Sequence, residues 1–398
     1  MKGVSWKKRA MVGFVGVAFA ALLTGCGGSE KKSDGKESDT VKIGVNMELT
    51  GGVAIYGQSS YNGIKLAVDE INANGGINGK KVELVVFDTK SEVAEATNGA
   101  TKLITQDKVK ALLGPATSGA ALAAQQVATD HKIPMIAVAG TAENVTVDEK
   151  GQTRPFIFRA PFIDPFQGTV MATFANKDLK AKTAVIYMDN SSDYSKGLTK
   201  AFEETFTKAG GTVVGKEAYL QKDADFKAAL TKIKAMNPDV IYVPGYYQEV
   251  SLIIKQAREL GITAPMMGGD GWDSPKLAEV AGAASLANCF MSNHYSNDDT
   301  DPVVQKFAAA YEKKYGAKPE AFAALSYDSM MLLADAMKRA GTTEDTVKIR
   351  QALADTKNLQ LVTGKFNFDS KNNPIKSAII VEFKDGKQTF RSRVAPSS

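Results

Sequence analysis

From residue 41 onward the chain alternates between two hydrophobic periods, and it does so in two successive blocks. Val41, Ile43, Val45 and Met47 fall at every second residue, the period of a strand. Ile64, Ala67, Val68 and Ile71 then follow at the i, i+3, i+4, i+7 spacing of one helix face. Residues 82–87 read as a strand, and Val93, Ala96, Ala100, Leu103 and Ile104 mark the next helix. Residues 109–113 and 133–138 read as buried strands around a helix at 120–129. After Pro161 and Pro165 the pattern restarts, with strands predicted at 183–188, 212–219 and 240–243 and helices at 196–209, 226–236 and 250–260. Strand–helix alternation of this kind implies parallel sheets with helices on both faces. Two blocks of it predict an α/β chain of two doubly wound domains. Residues 301–354 read as helical throughout, and the end of the chain as short strands with a hairpin turn at Asp385-Gly386.

The N-terminus is of a different kind. Lys2, Lys7, Lys8 and Arg9 precede an apolar stretch at 11–23 that is too short to span a bilayer. Leu23-Thr24-Gly25-Cys26 resembles the cleavage box of bacterial lipoproteins. The resemblance implies a signal peptide at 1–25, lipidation of Cys26 and a protein tethered to the outer face of the cytoplasmic membrane. Residues 26–40 contain no large apolar side chain and read as a flexible tether. Removing residues 1–25 takes away four positive charges and no negative one, lowering the formal net charge from +5 to +1. A body so close to neutrality carries no basic stripe for nucleic acid. Its length of about 360 residues exceeds what a single core supports. Cys289 is the only cysteine besides Cys26, and the only histidines are His131 and His294. Neither a disulfide framework nor a histidine-rich metal site fits these counts, and no cofactor is expected.

In open α/β sheets ligands bind beyond the carboxyl ends of the strands. At those positions the first block offers 114–119, with Ser118, and 139–142, with Ala139 and Thr141. The second offers Asp189 with Tyr194, then Gly245-Tyr246-Tyr247, then Gly268-Gly269-Asp270-Gly271-Trp272. Hydroxyls and helix-start amides suit a ligand carboxylate, and an acidic side chain suits a ligand ammonium. Taken singly, Ser118 and Thr141 also fit the role of helix caps; their joint placement favours a small zwitterion. Other motifs carry less. Gly75-Gly76-Ile77-Asn78-Gly79-Lys80 lacks the first glycine of a phosphate loop, and Lys81 stands where it needs Ser or Thr. Asp298, Asp299 and Asp301 lack the spacing of a calcium loop and read as a solvated turn. Cys289 reads as a buried small hydrophobe.

Tyr56-Gly57-Gln58, the run from Asn62 to Asn72, and Gly75 to Lys80 resemble the first third of the branched-chain amino-acid-binding proteins of ABC importers. The resemblance extends over nearly all of residues 41–390. It implies a type I periplasmic binding protein fold of two lobes joined by three hinge crossings, at 159–161, 293–295 and 361–364. The lobes would be 41–159 with 294–361, and 160–293 with 362–398. It also implies that Ser118 and Thr141 hold the ligand carboxylate, and that the Ala139 carbonyl and Asp270 hold the ammonium. Tyr194 and Tyr246 would line the second lobe, and Tyr56 the side-chain pocket. Two positions depart from the pattern: an Asp stands at 270 where the best-known members have Glu, and Ala116-Thr117 replaces an apolar pair. The function implied is capture of an L-amino acid, foremost a branched-chain one, by a monomer that delivers it to the membrane subunits of an ABC permease. A sensor of a similar ligand uses the same fold. A lipid-anchored hydrolase with Ser118 as nucleophile finds no Gly-x-Ser-x-Gly elbow, and neither histidine is expected on a strand-end loop facing the site.

Overall fold

The computed structural model describes residues 39–396; the expected signal peptide, Cys26 and all but the end of the expected tether lie outside them. Chain order begins β1 (Thr40–Met47), α1 (Ala54–Ala73), β2 (Lys81–Asp88), α2 (Val93–Thr105), β3 (Leu112–Leu113), α3 (Ser118–Asp130), β4 (Met135–Ala137), β5 (Ile157–Arg159). It continues α4 (Asp164–Lys177), β6 (Thr183–Asp189), α5 (Asp193–Lys208), β7 (Thr212–Tyr219), α6 (Lys227–Met236), β8 (Val240–Tyr242), α7 (Tyr247–Glu259), β9 (Met266–Gly268), α8 (Pro275–Ala281), β10 (Cys289–Asn293). The last part is α9 (Pro302–Tyr315), α10 (Ala321–Ala340), α11 (Thr346–Ala354), β11 (Leu359–Leu361), β12 (Gly364–Phe366), β13 (Ala378–Lys384), β14 (Lys387–Val394).

The first sheet is entirely parallel, in the order β2-β1-β3-β4-β5. Strand β3 is shorter than its apolar run. Gly114, at φ +98°, turns the chain where a Cβ would meet the Asn46 carbonyl oxygen at 2.3 Å. The second sheet runs β14-β13-β10-β9-β8-β6-β7. Its β7, β6, β8, β9 and β10 are parallel, while β13 pairs antiparallel with β10 and with β14. The sheet is therefore mixed, because β13 and β14 form a hairpin after the chain's last return. Its turn places Asp385 and Gly386 at φ +49° and +74°, both left-handed, as a two-residue hairpin turn requires.

The chain moves between the sheets three times: from β5 toward β6, from β10 into α9 and α10, and from α11 to β13 past the β11–β12 hairpin. Helix α10 belongs with the first sheet, since it packs along α1. That contact needs Gly63, where a Cβ would stand 2.1 Å from the Ala323 carbonyl oxygen. Residues 301–354 form three helices rather than one continuous stretch. Gly316 and Gly341 adopt left-handed φ values of +71° and +63° and end α9 and α10. The acidic turn ahead of α9 is held by the protein itself: Asp298 accepts the Phe390 N–H, Asp299 pairs with Arg393, and Asp301 caps α9 through the Val303 N–H. Cys289 is fully buried, and burial pushes its thiol up to about 11. One apolar cluster contains Ile43 and Val45 of the first sheet and Val185 and Ile241 of the second. The lobes are thus in apolar contact. Among the described residues no helix is long and apolar enough to cross a membrane.

Candidate ligand-binding cleft

Ser118, Ala139, Thr141, Tyr56, Tyr194, Tyr246 and Asp270 all line one cavity, together with Ala116, Thr117, Gly271 and Phe322. The room left among them for a water-sized sphere is about 10 Å³, roughly that of one water, so the lining side chains nearly fill the cleft. Most of these residues sit just past the carboxyl ends of β3, β4, β8 and β9 or at the start of the following helix, which is why two open sheets bring them together.

On the first lobe Ser118 opens α3, whose first turn carries no acidic side chain. The positive end of the helix is therefore open to an anion. The cap position is Thr117, and its side chain makes no capping bond. Ser118 Oγ instead accepts the N–H groups of Thr141 and Ala142, each at 3.1 Å. With its lone pairs so engaged, the hydroxyl proton is free to donate into the cavity. Two buried charged residues hold the flanking loops. Glu48 accepts the Ala116 N–H at 3.0 Å and the Thr117 N–H and hydroxyl at 3.0 and 2.8 Å. Burial raises its pKa, and these donors partly offset the rise. Arg159 donates to the carbonyls of Gly140, Ala142 and Glu143 at 3.0, 2.9 and 3.2 Å and to Thr146 Oγ1 at 3.1 Å. Burial lowers it to about 10, still charged at neutral pH.

On the second lobe Asp270 is 4% exposed. Its Oδ1 accepts from the Tyr194 hydroxyl at 2.8 Å and from Gln167 Nε2 at 3.1 Å, and its Oδ2 lies 2.9 Å from His294 Nε2. A carboxylate offers about four lone-pair positions; three are filled, and one remains for a further donor. Gln167 Oε1 accepts the Asp270 N–H at 2.7 Å and the Ser292 hydroxyl at 2.7 Å, which locks the amide's orientation. Burial and the charge of Asp270 raise the Tyr194 phenol well above its ordinary pKa, so it remains a donor.

Aromatic rings form the apolar wall. Tyr56 stacks on Phe322 with centroids 4.1 Å apart and meets Tyr246 and Tyr247 edge-on at 5.8 and 5.2 Å. Tyr246 stacks on Tyr194 at 5.2 Å. The Tyr56 hydroxyl also ties the lobes together: it donates to the Gly271 carbonyl and accepts the Tyr247 N–H at 3.2 Å. Asp273 adds a second tie by accepting the Ala321 N–H at the start of α10, at 2.7 Å.

The sequence reading missed several of these residues. Phe322 reaches the cavity from a helix rather than a strand end. Glu48, Gln167 and Arg159 act from behind the lining. His294 corrects an expectation outright, because it directly follows β10 and faces Asp270. Strand β10, Cys-Phe-Met-Ser-Asn, carries no alternation of its own, so the sequence hides the strand-end position of His294. The hydroxyl of Ser118 is bonded to backbone amides, and its bonds involve neither histidine.

Residues 40–388 match the periplasmic binding protein family. This chain belongs to that family. The Leu/Ile/Val-binding protein BraC3 of Rhizobium johnstonii is 32% identical over 328 residues, 82% of this chain and 87% of that protein. Among solved structures, the leucine-binding protein LivK of Thermotoga maritima superposes with a TM-score of 0.85 at 39% identity, over 90% of this chain and 99% of the other. The branched-chain amino acid transporter substrate-binding protein LivJ of Streptococcus pneumoniae, solved with isoleucine, gives 0.84 at 41% identity over 90% and 100%. The fold is the type I periplasmic binding protein fold. The family is one of extracytoplasmic solute-binding proteins, and this periplasmic binding protein is not an enzyme.

Proposed function

We propose that the protein captures an L-amino acid with an aliphatic, foremost branched-chain, side chain between its lobes and delivers it to an ABC permease. The observation that carries this reading is the division of the cavity. A hydroxyl and an unopposed helix start lie on one lobe, a carboxylate with one open position lies on the other, and stacked aromatic rings lie between them. A zwitterion with an apolar side chain satisfies all three at once. Ser118 and Thr141 take its carboxylate, Asp270 and the Ala139 carbonyl take its ammonium, and Tyr56, Tyr246 and Phe322 take its side chain. The similarity to Leu/Ile/Val-binding proteins supports the same class. Since the ligand would touch both lobes only when they are closed, its binding favours the closed form, with bending at 159–161, 293–295 and 361–364. A thermal-shift screen over the common L-amino acids tests the assignment. Leucine, isoleucine and valine should give the largest rises in melting temperature, and the acidic and basic amino acids none. A largest rise with a charged side chain would refute it.

The same reading includes a lipid anchor on Cys26, motivated by Leu23-Thr24-Gly25-Cys26 and the charged residues ahead of it. Mass spectrometry of protein extracted from membranes should find a mature chain that starts at acylated Cys26. An unmodified N-terminus at another residue would remove the anchor from the proposal.

A further inference from the structure

His294 lies outside every role assigned so far, yet it is one of three groups that hold Asp270. Its ring is almost fully buried, with Nε2 at 2.9 Å from Asp270 Oδ2 and its face against Phe162 at a centroid distance of 3.7 Å. Nδ1 is buried too, and it has no hydrogen-bond partner among the described residues. These two nitrogens define the protonation state. The carboxylate requires a proton on Nε2. A second proton on Nδ1 would be a buried donor with nothing to accept it, which costs about 1–3 kcal/mol. The ring is therefore neutral and Nε2-protonated, and burial lowers its pKa below the ordinary histidine value despite the pull of Asp270.

We propose that neutral His294 is a positioning residue of the ammonium site: it fixes the Asp270 carboxylate by donating from Nε2 and leaves its full negative charge to the ligand, so that protonation of His294 and ligand binding oppose each other. This rests on the reading of Asp270 as the ammonium acceptor. A protonated His294 would neutralise Asp270 and turn the site from anionic to balanced, and a ligand ammonium would lose its counter-charge. Some surrounding groups change charge in the same pH range, so the His294 variants, rather than the pH dependence of wild type alone, assign the effect to the ring. Lys376, whose charge bears on the ring, is engaged through Thr363 with Asp328; burial lowers Lys376 to about 7 and raises Asp328 to about 6. Around Asp270 stand Asp164 of α4, Asp273, and the phenols of Tyr194, Tyr56 and Tyr242. Burial pushes Asp164 well above the usual carboxylate range, and Asp273 is raised as well and engaged by Ala321, Asn293 and Gln388.

The test is L-leucine affinity by calorimetry from about pH 7.5 to about pH 5, a span that covers the ordinary histidine range, for wild type, His294→Gln and His294→Ala. Wild-type affinity should hold through the ordinary histidine range and fall only on its acid side, as the pH drops through the lowered pKa of the ligand-free ring, which then takes up a proton that the complex excludes. His294→Ala should lose roughly ten- to a hundred-fold at the higher pH, the worth of a hydrogen bond to a charged group. His294→Gln, whose Nε2 can donate from a similar place, should recover part of that loss and lack the acid-side fall that wild type shows. With only two histidines in the chain, NMR gives a second readout that needs no variant. The titration of His294 should move to lower pH when L-leucine is added. A His294→Gln protein that keeps the wild-type pH dependence, or a His294 titration that L-leucine leaves unmoved, would overturn the proposal. Asp270→Ala separates the two levels. If it loses affinity while His294→Gln titrates like wild type, this inference alone fails; if it binds as wild type does, the ammonium reading fails and this inference with it.

Discussion

Asp270→Ala should weaken L-leucine binding by roughly 30-fold to several-thousand-fold, the equivalent of about 2–5 kcal/mol for losing one partner of a desolvated charge pair. A carboxylate in a closed cleft is expensive to desolvate unless a cation joins it, and in the proposed complex the ligand ammonium is that cation. The substitution has a second effect. It also leaves the Tyr194 hydroxyl, Gln167 Nε2 and His294 Nε2 without their acceptor. Each buried donor left unpaired costs about 1–3 kcal/mol, so the melting temperature should fall as well. Asp270→Asn separates the two effects. It keeps an acceptor oxygen for Tyr194 and Gln167 but removes the charge, so it should preserve more of the stability while still losing most of the affinity. Asp270 also opens a short helix, Asp270–Trp272, but its side chain does not cap it: the Asp273 N–H bonds to the backbone carbonyl of Asp270, and the side chain points to Tyr194, Gln167 and His294. L-leucine affinity for Asp270→Ala within about threefold of wild type, well under 1 kcal/mol, would show that the ammonium site is wrongly placed.

The two-block α/β architecture is legible in the sequence because long amphipathic helices such as α1 and α5 and alternating strands such as β1 and β7 impose their periods locally. Strand ends follow from those periods, which is how Ser118, Thr141, Tyr246 and Asp270 could be singled out. Very short buried strands leave no such trace. β5 is Ile-Phe-Arg and β10 is Cys-Phe-Met-Ser-Asn, and in neither does an alternation distinguish inward from outward residues. The supporting residues are hidden for another reason. Gln167 meets Asp270 across 103 residues and Ser292 across 125, contacts that only the sheet order creates. Phe322 comes from a helix that returns to the first lobe after the parallel strands of the second sheet, so its place against Tyr56 follows from the α1–α10 packing rather than from any local pattern.

Stereochemistry tests the central claim, because the two polar ends of the proposed ligand are held on different lobes. With the carboxylate at Ser118 and Thr141 and the side chain against Tyr56 and Phe322, inverting the α-carbon moves the ammonium away from Asp270. The D-isomer then loses a charge-assisted contact, or swings its side chain out of the aromatic wall to keep it. Either loss is on the order of 2–5 kcal/mol, about 30-fold or more in affinity. 4-Methylpentanoate, which is leucine without its amino group, probes the same contact without any change of handedness. The decisive measurement is calorimetric titration of the ligand-free protein with L-leucine, D-leucine and 4-methylpentanoate under one set of conditions. The account predicts tight binding of L-leucine and affinities lower by at least about 30-fold for the other two. Equal affinity for both enantiomers, or 4-methylpentanoate binding as tightly as L-leucine, would contradict it.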